Sequence, residues 1–449
     1  MRQQCRRCTA KYLKLNMKLK AGKEEATRNI RIELVPGFMQ ELGHLAQGLH
    51  PDSPAVALAL LSDAQHARVS DLHLEPRSTG TRLRFRIDGV LNDVADLLSE
   101  NGQMILNQFK AIADLNPVAQ FTAKDTRATV EVDGAPLDVR LALAPSHQGE
   151  ALVVRLLDPK RLERSMGDLG LSPRALAQLE DWLDNVSGMF LAAGPTGSGK
   201  TTTIYTLLHK LRFADRAIVS IEDPVEYHID GITQIRIDEL HDIVFAEAMR
   251  SVLRLDPDFV MMGEIRDANS AHSAINAAVS GRVLLSTVHS RDAAGVVTAL
   301  RNWGLLDHEI AEVLGVVVAQ RLVRRLCPRC RCRVKPSASD AKWLEMMKLT
   351  VPEFLWNAKG CKECQNLGYS GRTGVFDLWR LDSGDYDLIM NHANEHTLRE
   401  RLARQSHENL LRDAFAKALD GTTSLAELRK ASGVLLPPSS PPQSTSSTA

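Results

Sequence analysis

Gly194, Gly199, Lys200 and Thr201 stand at the spacing G-x-x-x-x-G-K-[ST] inside MFLAAGPTGSGKTTT, residues 189–203. Glycines so placed let successive backbone N–H groups turn inward, making a concave anion site for phosphate oxygens. Lys200 is placed to reach β- and γ-phosphates, and the Thr201 hydroxyl to ligate Mg²⁺. The N-terminus of a following helix would add partial positive charge. The candidate binding set is Gly194, Pro195, Thr196, Gly197, Ser198, Gly199, Lys200, Thr201 and Thr202. A chance glycine-rich turn would lack the context present here, an apolar run before the loop and a helix-prone run after it.

Further candidates follow short apolar segments downstream. Ala217–Ile221, Phe259–Met262 and Val283–Thr287 read as strands of a parallel sheet buried on both faces, alternating with helical stretches. Glu222, Asp223 and Glu226 follow the first, Glu264 the second and His289 the third. Ligands of open α/β sheets bind beyond the carboxyl ends of the strands, which is where these side chains fall. A carboxylate there can orient or deprotonate water or hold a Mg²⁺-bound water, and an imidazole can sense a γ-phosphate. Equally, strand-end acids serve as capping or solvated groups, and the histidine as a satisfied interior residue.

Cysteine usage adds a separate chemistry. Cys327-Pro-Arg-Cys330 and Cys361-Lys-Glu-Cys364 are two C-x-x-C pairs thirty residues apart, a thiolate set for structural Zn²⁺. Such a site should staple a lobe with little core of its own. Cys332 is either a substitute ligand or a small buried residue, and Cys5-x-x-Cys8 lacks a second pair.

These groups need scaffolds, and 449 residues suggest about three domains. Hydrophobic content of 44%, charged content of 24% and zero formal net charge fit a globular chain without a global pull toward nucleic acid or membrane. No apolar run approaches the roughly 20 residues of a membrane span, so a cytoplasmic location is expected. Residues 1–33 hold ten Lys/Arg against three acids and read as a basic arm, either a solvated leader or a docking segment. From about 55 to 160 the pattern is α+β. Leu83, Phe85 and Ile87 alternate with Arg82, Arg84 and Arg86, Asp88-Gly89 and Asp133-Gly134 mark turns, and 103–115 reads as an amphipathic helix. Arg140 and Arg155 lie on neighbouring strands, with a solvated face and a phosphate-directed role both open.

The ordered run GPTGSGKTTT, IEDPVEY, LRLDPDFVMMGEIRD and SGRVLLSTVHSRDA resembles the ATPases of type II secretion and type IV pilus assembly, with their Walker A, Asp box, Walker B and His box. SDLHLEP and RFRIDGVL extend the resemblance backward, so that about four-fifths of the chain is covered. It implies a RecA-like P-loop domain, an N-terminal α+β, PAS-like domain and a small zinc-binding lobe. It further implies ATP, Mg²⁺ and Zn²⁺ as cofactors, a homohexamer, and domain motion that drives an inner-membrane platform protein, with pilin or pseudopilin machinery served indirectly. The location implied is cytoplasmic, peripheral to the inner membrane. By motif match Lys200, Glu222, Glu264 and His289 belong to the catalytic set, with either acid as base, and Arg140 and Arg155 approach the phosphates. Asp258 is expected to be structural. The tetracysteine element points to assembly or secretion rather than retraction.

Two departures stand out. Arg282 replaces the first His-box histidine, suggesting a phosphate or inter-subunit contact, and Arg291 stands where asparagine is common. In KDTR, 124–127, the arginine of the family pattern is kept and its glycine is not. The expected divisions are a basic arm over 1–54, the α+β domain over 55–160, the ATPase domain over 161–325 and the zinc lobe over 326–372. Helices that complete the ATPase domain follow over 373–432, and a disordered tail over 433–449. The competing reading, a nucleic-acid-translocating P-loop ATPase, is disfavoured by an aromatic content of 5% with no basic–aromatic interleaving.

Overall fold

The computed structural model describes residues 33–34, 55–118, 122–157, 164–212, 216–237, 245–404 and 409–432. Most of the basic arm, Cys5, Cys8 and the 433–449 tail lie outside the described residues. The chain divides into two compact units, 1–158 and 159–449.

In the first unit β1 (Glu33–Leu34) and α1 (Ala55–His66) precede β2 (Val69–Arg77), β3 (Gly80–Ile87) and β4 (Val90–Leu97). Then come α2 (Ser99–Ile112), β5 (Lys124–Val132), β6 (Ala135–Ser146) and β7 (Gly149–Leu157). The strands form one antiparallel sheet in the order β1-β4-β3-β2-β7-β6-β5. Alternation puts Leu72, Leu74, Leu83, Phe85, Leu141 and Val154 on the buried face, against α1 and α2. Both Asp-Gly turns have their two residues in the left-handed region: Asp88 and Gly89 at φ 50° and 86°, Asp133 and Gly134 at 51° and 74°. That is the backbone twist a two-residue hairpin needs. On the other face the register aligns Arg86, Asp71, Arg155, Arg140 and Arg127 in one row across five strands.

The second unit begins with α3 (Pro173–Asp184), β8 (Met189–Ala193), α4 (Lys200–Leu211), β9 (Ile218–Glu222) and β10 (Thr233–Arg236). It continues through α5 (Phe245–Val252), β11 (Phe259–Ile265), α6 (Ala268–Val279), β12 (Val283–Val288), α7 (Ala294–Asn302), α8 (Asp307–Val313) and β13 (Leu314–Leu326). The sheet order is β10-β9-β11-β12-β8-β13-β16, where β16 (Tyr369–Arg380) is antiparallel to β13 and the other neighbours are parallel. All five residues of β8 are buried because helices cover both faces. Leu191, Val219, Met262 and Leu284 pack on one side with α6 and α7, while Phe190, Ala192, Met261 and Leu285 pack on the other with α3 and α4.

Between β13 and β16 the chain forms β14 (Cys332–Val334), α9 (Ala338–Met346) and β15 (Leu355–Asn357). After β16 come α10 (Ser383–Met390), α11 (Glu395–Arg404), α12 (Leu410–Leu419) and α13 (Leu425–Ser432). A third apolar cluster joins Val323 of β13 and Val375 of β16 to Leu344, Leu355, Leu410, Phe415 and Leu428. Among the described residues no helix is long and apolar enough to cross a membrane.

Candidate functional site

Residues 194–199 form the loop that joins buried β8 to α4, whose first residue is Lys200. Gly194, Gly197 and Gly199 have φ of 152°, 76° and 92°, open to glycine and strained for other residues. At Gly194 a Cβ would also lie 2.5 Å from Ser198 Oγ and 2.6 Å from the Gln320 carbonyl oxygen. Lys200 Nζ donates to the Gly194 carbonyl at 2.7 Å and the Pro195 carbonyl at 3.3 Å, so the ammonium lies along the loop's own rim. Burial pulls the lysine pKa below its ordinary value, and the Glu264 charge opposes that shift. Pro195, Thr196 and Gly197 are exposed, Ser198 is buried, and Thr201 and Thr202 are half-buried on the first turn of α4.

The loop opens on a cleft of about 420 Å³ whose opposite wall carries Glu222, Asp223, Glu264, Arg266 and His289. The strand-end residues therefore converge with the phosphate loop, but in unlike states. Glu264 Oε1 lies 2.6 Å from His289 Nε2, and its Oε2 accepts from Arg266 Nε at 2.8 Å. A break in the β11–β12 register between Met262 and Ile265 turns Glu264 out of the strand. Ser286 Oγ and Thr287 Oγ1 hold that bulge by donating to the Met262 and Gly263 carbonyls at 2.7 and 2.9 Å. Glu222, by contrast, is buried. Its carboxylate accepts from the Tyr205 hydroxyl, from Ser220 Oγ at 2.7 Å and from Gln234 Nε2 at 3.0 Å. Burial and the Glu222 charge push the Tyr205 phenol above its ordinary pKa. Three donors leave Glu222 little lone-pair capacity for water, whereas Glu264 faces the cleft.

The expected phosphate contact of Arg282 is corrected by its position. It precedes β12 at the Met189 end of the sheet, whereas the phosphate loop leaves the Ala193 end. There it donates to the Ser280 carbonyl at 2.9 Å and pairs with Asp256 at 3.6 Å, which removes it from the phosphate cleft of this chain. Asp258 Oδ2 accepts from the Ala217 amide at 2.7 Å, a tie at that same far end. In the first unit Arg140 is bidentate to Asp125, with contacts of 2.8 and 2.6 Å, and Arg155 donates to Asp71 at 2.9 Å.

The sequence reading missed the groups behind the cleft. Gln320, 1% exposed on β13, donates from Nε2 to the Ser198 carbonyl at 2.9 Å and accepts at Oε1 from Thr203 Oγ1 at 2.9 Å. Its signal was a Gln-Arg pair interrupting the apolar run VVVAQRLV. Tyr205, Arg266, Ser286 and Thr287 carry no spacing signature.

The Sγ atoms of Cys327, Cys330, Cys361 and Cys364 lie within 4.8 Å of one another. The 327–361, 330–364 and 361–364 separations are 3.9, 3.8 and 3.7 Å. A tetrahedron with metal–sulfur bonds of about 2.3 Å has an edge of about 3.8 Å, so the four thiols fit Zn²⁺. Burial pushes the Cys364 thiol up, but the Cys361 and Gly368 amides outweigh it and hold it down at about 7. Cys332 stands outside the cluster, with Sγ 3.8 Å from the Asn357 carbonyl oxygen.

A phosphate loop leaving β8 of a largely parallel sheet, faced by an acid from β11 and a histidine that follows β12, defines a RecA-like P-loop nucleotide-binding protein. The chain belongs to the type II/IV secretion system protein family, whose model matches residues 47–430. It is 36% identical over 379 residues to type II secretion system protein E of Klebsiella pneumoniae, covering 84% of this chain and 76% of that one. With the type IV pilus assembly ATPase PilB of Myxococcus xanthus it shares 36% over 386 residues, covering 84% and 68%. The fold is shared with the ATPase DotB of Legionella pneumophila at a TM-score of 0.62 and 18% identity, over 84% of this chain and 95% of the other. It is shared with the pilus retraction motor PilT at 0.56 and 19%, over 83% and 96%.

Proposed function

We propose that this protein is the ATP-hydrolysing motor of a type IV pilus assembly or type II secretion machine. The observation that carries this reading is Glu264, turned out of β11 by a bulge, paired with His289 and facing the cleft of Lys200. Loop amides and Lys200 bind the phosphates, Glu264 orients and deprotonates the attacking water, and His289 aligns Glu264 and registers the γ-phosphate. Thr201 would hold Mg²⁺, which supplies charge neutralisation at the phosphates when bound. Glu222 braces the wall rather than acting as base, because its oxygens are engaged. Zn²⁺ in the four cysteines is structural.

In this reading Arg140 and Arg155 reach the phosphates as the first unit swings, and loss of the γ-phosphate releases them. Six copies act as a ring at the cytoplasmic side of the inner membrane on a platform protein, which in turn moves pilin or pseudopilin subunits. The resemblance of the motifs and the names of the relatives support this assignment. Phosphate release from Mg·ATP by the native chain and by Glu264→Gln tests it. The variant should bind nucleotide and lose hydrolysis, and an unchanged rate removes Glu264 from the role. Strong, salt-sensitive stimulation by single-stranded DNA would instead support a nucleic-acid translocase.

A further inference from the structure

We infer that Gln320 is a positioning residue that aims the amides of the phosphate loop, an inference resting on the reading of that loop as the nucleotide site. A trans peptide is planar, so its C=O and N–H point in opposite directions. Gln320 Nε2 holds the Ser198 carbonyl from the sheet side at 2.9 Å, and the Gly199 N–H of the same peptide must then point away from β13. That is the direction of the phosphate cradle.

The amide orientation is forced. The Ser198 carbonyl oxygen only accepts, so it must face Nε2, and Oε1 is left for the Thr203 hydroxyl one turn into α4. Gln320 is 1% exposed, so water cannot substitute for either bond. The backbone at this residue closes on the loop's other end, where the Gln320 carbonyl oxygen would meet a Cβ on Gly194 at 2.6 Å. One residue of β13 thus fixes the entry, the turning peptide and the helix start of the loop.

Gln320→Glu and Gln320→Met separate positioning from packing. At alkaline pH an ionised glutamate sets its oxygen against the Ser198 carbonyl and turns the peptide. Once protonated, it donates to that carbonyl as the amide did. A carboxyl buried there titrates above its ordinary range.

Affinity for a fluorescent ATP analogue is measured relative to the native chain from about pH 6 to 8.5. Gln320→Met should lose about tenfold or more at every pH. Gln320→Glu should match that loss at high pH and recover as pH falls. A second readout needs no nucleotide: amide exchange at Ser198 and Thr203, whose N–H groups donate to the Pro195 and Gly199 carbonyls at 3.2 and 3.1 Å, should quicken about tenfold in unliganded Gln320→Met.

Native affinity and exchange in both variants would overturn the inference, as would a Gln320→Glu deficit that ignores pH. A native chain that binds no ATP overturns the nucleotide reading, and the exchange result then decides whether Gln320 holds the loop.

Discussion

His289 Nε2 stands 2.6 Å from Glu264 Oε1, and Arg266 Nε stands 2.8 Å from the other oxygen of the same carboxylate. The carboxylate is thereby fixed in plane between two donors while its edge faces the cleft. Glu264 is one-fifth exposed, with a side-chain relative accessibility of 19%, and His289 is at 49%, so the pair sits at the cleft surface. His289→Ala should cut turnover about 10- to 100-fold with nucleotide affinity nearly unchanged, since it frees Glu264 without disturbing the loop. Steady-state hydrolysis beside equilibrium binding checks this, and equal losses in both would make His289 a binding group.

Tyr205→Phe probes the wall behind. It removes the hydroxyl that donates to Glu222 and accepts from the Glu226 amide at 3.3 Å, while Ser220 and Gln234 remain on the carboxylate. A buried carboxylate short of one donor should cost about 1–3 kcal/mol. Denaturant unfolding measures it. A neutral result would show Glu222 to be satisfied without the phenol.

Metal removal acts elsewhere. Chelation, or Cys361→Ser, should release Zn²⁺ and expose residues 327–368 to exchange before the parallel sheet opens. Exchange mass spectrometry resolves the order. Equal loss of protection in β8 and β9 would mean that the lobe is not a separate unit of stability.

Glu427 gives a pH signature. Burial pushes its carboxyl up, but the Arg324 guanidinium at 2.7 Å outweighs burial and leaves it below its ordinary value of 4.5. A carboxyl depressed in the folded state contributes stability that is complete above its unfolded pKa and is lost as pH falls through the folded one. The stability gap between the native chain and Glu427→Gln should be widest near pH 7 and close below about pH 4.5. Urea titrations at both pH values test this, and a gap independent of pH would assign the effect to packing.

Where the sequence was legible, local physics was decisive. Buried parallel strands read as unbroken apolar runs, and the β9, β11 and β12 spans match those runs to within a few residues at their ends. Asp88-Gly89 and Asp133-Gly134 announced their hairpins through the left-handed backbone they favour. The four cysteines announced their cluster through spacing.

What stayed hidden depends on distant partners. Gln320 meets Ser198 across 122 positions of chain, and β13 pairs with β16 around an inserted lobe. Neither has a local period to betray it. Glu222 and Glu264 look alike as acids after apolar strands, and only tertiary donors distinguish the sequestered one from the half-buried one at the cleft. Arg282 misled as a phosphate contact because motif membership says nothing about which end of a strand a residue occupies.

The pairing of β13 with β16 continues unbroken from Val316 to Arg324 and slips only between Arg324 and Leu326. Glu427 clamps Arg324 at that slip through both its backbone amide and its guanidinium. Gln320 is thus carried on the unbroken part of β13, and Cys327 follows the strand's last residue just past the clamped slip. Any tilt of the cysteine lobe would reach the floor of the phosphate loop through that one slip, and the Arg324–Glu427 tie sets how much of it passes.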